Sequence, residues 1–84
     1  MLREEVYNRI NEERTYQDNK WGALDKHPHE VAAWIVFMEH HLNKAKQLIS
    51  TQNTDEDALH ELRKVTTLGV ACLEQHGCPD RQIN

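Results

Sequence analysis

The segment Glu13–Gly22, ERTYQDNKWG, concentrates side chains that can bind a small charged ligand. It combines an acid, a guanidinium, an amide, an ammonium and an indole, which belong to Glu13, Arg14, Gln17, Lys20 and Trp21. Cationic side chains form charge-assisted hydrogen bonds with phosphate oxygens, and an indole can stack on a flat base. The segment therefore predicts a binding site for an anionic, nucleotide-like molecule.

A helix predicted over Leu2–Asn19 is expected to position this segment. Side chains three or four residues apart share one face of a helix. In chain order the inward line is Leu2, Val6, Ile10, Glu13, Gln17 and Lys20. A line that starts apolar and turns polar has two interpretations, because the end of the helix is either solvated or enters a polar pocket.

The predicted central helix, Val31–Ile49, supplies further candidates on the shoulders of its apolar seam. The expected buried stripe consists of Val31, Trp34, Ile35, Met38, Leu42, Ala45 and Ile49. His41 and Leu48 lie along one edge of this stripe, and Glu39 and Lys46 lie along the other. Any binding site on this helix is therefore expected to use the residues at the two edges of the buried stripe.

A third helix is predicted from an N-cap at Thr54 to about His76, and Gly77 ends it. Its inward stripe is expected to contain Ala58, Leu62, Val65, Gly69, Cys72 and Leu73. Gly69 costs roughly 1 kcal/mol in helix propensity, so we expect it to permit the close approach of another helix. Glu61 lies on the flank of the stripe and is expected to be partly buried.

Two connectors join these helices. Gly22 is expected to end the first helix, and Ala23–His29 forms a loop in which Pro28 fits the first turn of the next helix. Asp25 or His27 is a candidate cap for that helix. The polar connector Ser50–Thr54, STQNT, separates the second and third helices.

The length of 84 residues predicts a single domain, 1–84, with a loose C-terminal tail at 78–84. A chain this short buries little apolar surface on its own, so we expect a homo-oligomer, either a dimer or a larger assembly. The predicted fold class is all-α. Three helices, two of them long and antiparallel, are expected to complete a helical bundle by oligomerisation.

Composition excludes several classes of protein. Hydrophobic residues make up 38% and charged residues 29%, and no apolar run approaches the roughly 18 residues of a membrane span. The charged N-terminus, MLREEVYNR, is unlike a signal peptide, so we expect a cytoplasmic protein with no membrane partner. The net charge of −4 argues against general nucleic-acid binding. Cys72 and Cys78 are expected to be free thiols.

Three motifs resemble a known family. ERxYQDxKWG near the N-terminus, LxKA in the central helix and ELRKVxxLxVxCLE in the last helix resemble the small phage-encoded relatives of the MazG-like nucleotide pyrophosphohydrolases, over Glu13–Glu74. The resemblance implies an all-α nucleotide-binding fold that assembles as dimers or larger oligomers, in the cytoplasm of a bacterial host. It also implies that active members hydrolyse nucleoside triphosphates to monophosphate and pyrophosphate, with magnesium held by a helical EExxE and a following ExxD.

The acids of these metal motifs are mostly missing from this chain. One register places Phe37, Met38 and His41 at the three acids of EExxE, and the other places Glu39, His40 and Asn43 there. Neither register leaves more than one carboxylate. In the last helix Glu61 matches the first acid of ExxD, but Lys64 replaces the aspartate. Magnesium prefers oxygen ligands, so we expect no cofactor, and a weak magnesium site at Glu39 and Glu61 only if the protein is an active enzyme.

Histidines raise the alternative of a zinc site. The residues concerned are His27, His29, His40 and His41. Adjacent histidines on a helix point about 100° apart and cannot both face one ion, so exposed histidines are expected, with His41 half-buried against Trp34. Nucleophilic catalysis has no support, because the chain has neither a serine or cysteine elbow nor a glycine-rich phosphate loop.

Three functions remain open. The favoured hypothesis is a non-catalytic nucleotide-binding protein of phage or prophage origin, which sequesters or senses a nucleotide or a nucleotide-like immune signal and is thus a candidate in anti-defence. The alternatives are an active MazG-like pyrophosphohydrolase and a structural or protein-binding helical module. The predicted ligand-binding residues are Glu13, Arg14, Gln17, Lys20, Trp21, Trp34, His41 and Lys64. In this hypothesis Arg14, Lys20 and Lys64 bind phosphate, and Trp21 or Trp34 stacks on the base.

Overall fold

Three α-helices form the chain in a computed structural model that describes residues 1–51 and 54–82. They are α1 (Arg3–Trp21), α2 (Val31–Ser50) and α3 (Asp55–His76). Within those residues there is no strand, so the all-α prediction is confirmed, and every predicted helix boundary lies within two residues of the observed one. None of the three described helices is long and apolar enough to span a membrane. Residues 52 and 53 of the polar connector and residues 83 and 84 of the predicted tail lie outside the described residues.

Local chemistry explains where two of the helices end or begin. Gly22 ends α1 with a φ of 89°, a backbone conformation that favours glycine. A Cβ atom at this position would also lie 3.0 Å from the His27 ring. The Thr54 hydroxyl accepts a hydrogen bond from the Asp57 amide, which confirms the predicted N-cap of α3.

Helix α2 begins at Val31 as predicted, but the residue predicted to cap it was wrong. Pro28 lies in the loop before the helix, and the N-cap position is Glu30 rather than Asp25 or His27. The reason is a long-range contact. The backbone amide of His29 donates to the Gln75 side chain at 3.2 Å, and the Gln75 side-chain amide donates to the His29 carbonyl at 2.7 Å. The backbone amide and carbonyl of His29 are therefore both bonded to α3, and α2 begins only after this residue.

Helices α2 and α3 pack closely as an antiparallel hairpin. His29 meets Gln75 at one end of the pair, Met38 lies beside Gly69 near the middle, and His41 meets Glu61 further along. A Cβ atom on Gly69 would lie 3.6 Å from the Met38 sulfur, which is an ordinary van der Waals distance. The contact with α2 therefore does not require glycine at this position, contrary to the expectation from sequence.

The buried face of α2 is rotated from the predicted stripe. Trp34 and Ala45 are buried, and Met38, His41 and Leu48 are half-buried. Four residues of the predicted stripe are instead 44–56% exposed, namely Val31, Ile35, Leu42 and Ile49. The rotation has a physical cause, because α3 packs on the edge that carries His41 and Leu48, and the bond between His41 and Glu61 crosses this interface.

The buried face of α3 is wider than predicted, because this helix contacts both of the others. Ala58 and Cys72 are buried as expected, but Leu62 and Leu73 are exposed. Three buried residues lay outside the predicted stripe, and they are Thr67, Leu68 and Ala71. The hydroxyl of Thr67 donates to the Arg63 carbonyl at 2.6 Å, so its polar atom is satisfied inside the protein.

Helix α1 packs on α3 through polar side chains. Arg14 and Gln17 are its buried residues, at 6% and 5% exposure, whereas Leu2 and Val6 are exposed. The prediction that Leu2 and Val6 point inward was therefore wrong, whereas Ile10 is half-buried. The described bonds of α1 to α3 come from Glu13 and Arg14, further along the helix. Within the described part of the chain, the backbones of α1 and α2 do not come close to each other, so a gap remains between these two helices.

Candidate functional site

A groove of about 690 Å³ fills the gap between α1 and α2, and α3 forms its floor. Leu68 and Ala71 supply that floor. The loop after α1 closes one end with Leu24 and His27. Small-molecule sites in proteins commonly measure 300–1,000 Å³ and are mostly apolar with a few polar groups. The groove has the size and position of such a site.

The α2 wall of the groove is aromatic. Trp34, Phe37 and His29 form a cluster of edge-to-face contacts, with ring centroids 5.1–6.0 Å apart. The indole nitrogen of Trp34 donates to the Gln75 side chain at 3.0 Å, which fixes the orientation of this ring. A rigid ring surface of this kind can receive a flat heterocycle without a large loss of side-chain entropy.

The α1 wall carries a second indole, that of Trp21. This side chain is 52% exposed, so much of its surface is accessible to a ligand. The ammonium of Lys20 lies 5.7 Å from the centre of the Trp21 ring and 5.8 Å from that of Tyr16. The groove therefore has an aromatic group on each side and a lysine beside one of them.

Arg14 is held by three partners at the base of the α1 wall. Its Nε donates to Glu74, its Nη1 donates to the side-chain oxygen Oε1 of Gln17 at 3.3 Å, and its Nη2 pairs with Asp18 at 3.1 Å. Burial alone would lower the pKa of the guanidinium, but Glu74 and Asp18 together raise it. The Arg14 charge is thus already balanced by two carboxylates, and a phosphate in the groove would have to compete with both of them.

His41 lies on the α2 wall and connects the groove to α3. Its Nδ1 is 2.8 Å from a Glu61 carboxylate oxygen, and the Lys64 ammonium donates to the other oxygen at 3.3 Å. Burial by itself would raise the pKa of the Glu61 carboxyl, but the hydrogen bonds and charges of His41 and Lys64 outweigh it and lower this pKa. Glu61 therefore stays ionised and paired within the protein.

The structure brings together five of the eight predicted ligand-binding residues. Arg14, Gln17, Trp21, Trp34 and His41 all line the groove. The other three are not among its described lining residues. Glu13 accepts a hydrogen bond from Arg63 at 2.8 Å, Lys64 pairs with Glu61, and Lys20 lies over the two aromatic rings. The three cations that the sequence suggested for phosphate therefore do not converge on one point of the groove.

The two predicted magnesium ligands do not form a metal site. Glu39 is exposed, whereas Glu61 is bonded to His41 and Lys64. Among the residues that the structure describes, no three His, Cys, Asp or Glu side chains are grouped so that they could hold a metal ion. An ammonium 3.3 Å from the Glu61 carboxylate also opposes a divalent cation at that oxygen. The residues present do not fit magnesium.

Sequence reasoning missed several residues that build the groove. Phe37 follows Trp34 by one helical turn, so helical spacing could have placed both on one wall. Glu74 and Gln75 hold Arg14 and Trp34, and these contacts span 60 and 41 residues of the chain. No local pattern indicates such pairs.

Comparison of the chain with known protein families, curated proteins and solved structures gave no match. The resemblance to MazG-like proteins therefore stays a prediction. The groove and its side chains are the basis for a functional proposal.

Proposed function

We propose that this protein is a non-catalytic binding protein that holds a nucleotide-like molecule in the groove between α1 and α2, chiefly by its base. The observation that carries the proposal is the pair of aromatic walls, with Trp21, 52% exposed, on one side and Phe37, 38% exposed and supported by the buried Trp34, on the other. Base stacking on an aromatic side chain contributes about 1–3 kcal/mol. Two such walls together contribute about 2–6 kcal/mol, which corresponds to dissociation constants from tens of millimolar to tens of micromolar.

The charges around the groove favour recognition of the base over recognition of the phosphates. Arg14 is the one described Arg or Lys among the lining residues, and Glu74 and Asp18 already neutralise it. Lys20 is exposed beside Trp21, so it is the cation best placed to meet a phosphate at the mouth of the groove. Phosphates then extend towards solvent, and their number has little effect on affinity.

A binding role without hydrolysis agrees with the state of Glu61. Hydrolysis of a nucleoside triphosphate normally depends on a metal ion that stabilises the developing charge. His41 and Lys64 each bond one oxygen of the Glu61 carboxylate, and Glu39 is exposed elsewhere on α2. We infer that the protein sequesters or senses its ligand, as a phage or prophage protein would do with a nucleotide-like immune signal.

We also propose that the protein acts as a homodimer, with a second copy covering the exposed stripe of α2. The stripe consists of Val31, Ile35, Leu42 and Ile49. The buried apolar core of the chain is small by comparison and consists of Trp34, Ala45, Ala58, Leu68, Ala71 and Cys72. A second copy would bury the stripe and complete a four-helix bundle around the α2 and α3 hairpins. None of the four stripe residues lines the groove, so pairing leaves the groove open.

Calorimetry against nucleosides and mono-, di-, tri- and cyclic nucleotides, with and without EDTA, tests the binding proposal. We expect at least one family of bases to bind, with similar affinities for nucleoside and nucleotide and no effect of EDTA. Failure of every compound would overturn the proposal and favour a structural helical module. Release of pyrophosphate in the presence of magnesium would instead support the enzyme alternative.

Trp21→Ala tests the aromatic wall directly. Because the side chain is largely exposed, its removal should leave the fold intact and weaken binding by about 5-fold or more. Tyr7→Ala is the matched control, because Tyr7 is an exposed aromatic residue of α1 that is not among the described lining residues. The affinity of this variant for the ligand should stay within about 2-fold of that of the wild type. Equal effects of the two substitutions would contradict the assignment.

A further inference from the structure

The imidazole of His41 separates the groove from Glu61. His41 lines the groove, whereas Glu61 is not among its described lining residues. The Nδ1 atom of the ring points to the Glu61 carboxylate at 2.8 Å. Nε2 lies on the far side of an imidazole from Nδ1, so this nitrogen is directed away from the Glu61 carboxylate.

Glu61 also determines which nitrogen carries the proton. An ionised carboxylate has only acceptor atoms, so the short contact requires Nδ1–H to be the donor. Lys64 donates to the other carboxylate oxygen and stabilises the ionised form of Glu61. In the neutral ring the lone pair is then on Nε2, which makes His41 a hydrogen-bond acceptor in the groove.

Gln17 supplies the complementary group from α1. Its carbonyl oxygen accepts from Arg14 at 3.3 Å, and this fixes the orientation of the side-chain amide. The amide nitrogen has no hydrogen-bond partner within the described part of the chain, and Gln17 lines the groove. The α1 wall thus offers a donor, while the α2 wall offers an acceptor.

We infer that His41 is a specificity-determining residue, which accepts a hydrogen bond from an N–H group on the edge of the bound heterocycle, while Gln17 donates to a neighbouring acceptor of the same ring. This inference rests on the proposed function and narrows it. The groove selects heterocycles that carry an N–H donor beside a ring nitrogen or carbonyl oxygen. Flat compounds of the same size that lack the N–H donor bind less tightly.

Adenosine and purine riboside are suitable probes, because they differ only in the exocyclic amine. One neutral hydrogen bond corresponds to about a 3- to 10-fold preference for adenosine in calorimetry with the wild-type protein. His41→Phe keeps a ring on the α2 wall but lacks the acceptor, so the preference for adenosine over purine riboside should fall to about 1-fold. Equal binding of both probes to the wild type would overturn the inference and leave the proposed function standing. Binding of neither probe, together with failure of every compound in the nucleotide panel, would count against both.

Glu61→Gln tests the same mechanism without changing the ring. Lys64 donates to one oxygen at this position, so the glutamine keeps its oxygen towards Lys64 and turns its amide nitrogen towards Nδ1. The proton then moves to Nε2 and the acceptor is removed, so the preference for adenosine should again be lost. Glu39→Gln is the matched control, because Glu39 is an exposed carboxylate of α2 that is not among the described lining residues, and the preference should remain. A preference that survives Glu61→Gln would overturn the role of His41.

Nuclear magnetic resonance of the nitrogen-15-labelled, ligand-free protein provides a readout that needs no ligand. Long-range couplings between ring protons and nitrogens identify the tautomer of each histidine. We expect His41 to be the Nδ1–H tautomer in the wild type and in Glu39→Gln, and to change to the Nε2–H tautomer in Glu61→Gln. An Nε2–H tautomer for His41 in the wild type would refute the inference whatever the ligand.

Discussion

At the scale of single residues, Gly69 offers a direct test of the space beside α3. A Cβ atom at this position would make an ordinary 3.6 Å contact with the Met38 sulfur. Glycine in a helix interior is about 1 kcal/mol less favourable than alanine. We therefore expect Gly69→Ala to raise the free energy of unfolding by up to about 1 kcal/mol. Urea denaturation at a fixed protein concentration measures the change.

Gly22→Ala is the matched comparison, because Gly22 has a φ of 89° and its added Cβ would lie 3.0 Å from the His27 ring. This substitution should lower the free energy of unfolding by about 1–2 kcal/mol. A destabilising Gly69→Ala would mean that something packs closer to α3 than Met38 does. A second copy of the chain would be the first candidate.

At the scale of whole elements, two ion pairs attach α1 to α3, Arg14 with Glu74 and Glu13 with Arg63, and Arg14 is the more deeply buried cation of the two. The guanidinium bonds to Glu74 on α3 and to Gln17 and Asp18 on its own helix. Because Arg14→Ala leaves these partners without their donor, we expect a loss of about 1–3 kcal/mol in the free energy of unfolding. Hydrogen exchange should become faster in α1 than in α2 and α3.

Arg9→Ala controls for the loss of a positive charge from α1. Arg9 is exposed and pairs with Glu12 one turn away, at 3.5 Å. Exposed pairs of this kind contribute little, so stability should change by less than about 0.5 kcal/mol. If Arg14→Ala were equally mild and α1 exchange were unchanged, the pair between Glu13 and Arg63 would be the main attachment of α1.

At the scale of the whole molecule, the apolar stripe of α2 predicts self-association. We expect the wild-type protein to sediment as a dimer at micromolar concentration, because a short chain with a small core gains stability by burying this surface. Leu42→Glu places a charge in the centre of the stripe and should shift the sedimentation to a monomer or an unfolded chain. Leu42 is itself 44% exposed within one chain, so the change has little effect on the internal core.

Leu2→Glu is the matched control for the sedimentation experiment. Leu2 is an exposed leucine at the N-cap of α1, away from the stripe, and its replacement should leave the dimer intact. A wild-type protein that remains a folded monomer at micromolar concentration would contradict the homodimer. The binding proposal would then be judged on one chain alone.

The sequence by itself determined the three helices and most of their ends; the start of α2 depends in addition on the long-range contact between His29 and Gln75. Helix boundaries depend on neighbours within a few residues, such as the Thr54 cap and the glycine that ends α1. Periodic apolar spacing likewise depends only on local sequence. These features were predictable because the interactions that create them span a single turn of helix. The candidate site was partly predictable for the same reason, since Glu13–Gly22 concentrates polar and aromatic side chains.

Only the tertiary structure decided which face of each helix is buried and which polar residues meet. The bond between His41 and Glu61 spans 20 residues, and the bond between Arg14 and Glu74 spans 60. The first lies at the face of α2 that α3 covers, and the second shows that a predicted phosphate ligand helps to attach α1 to α3. Such pairings depend on how the helices cross. The sequence of a helix shows which residues are charged, but it does not show which of them another helix will contact.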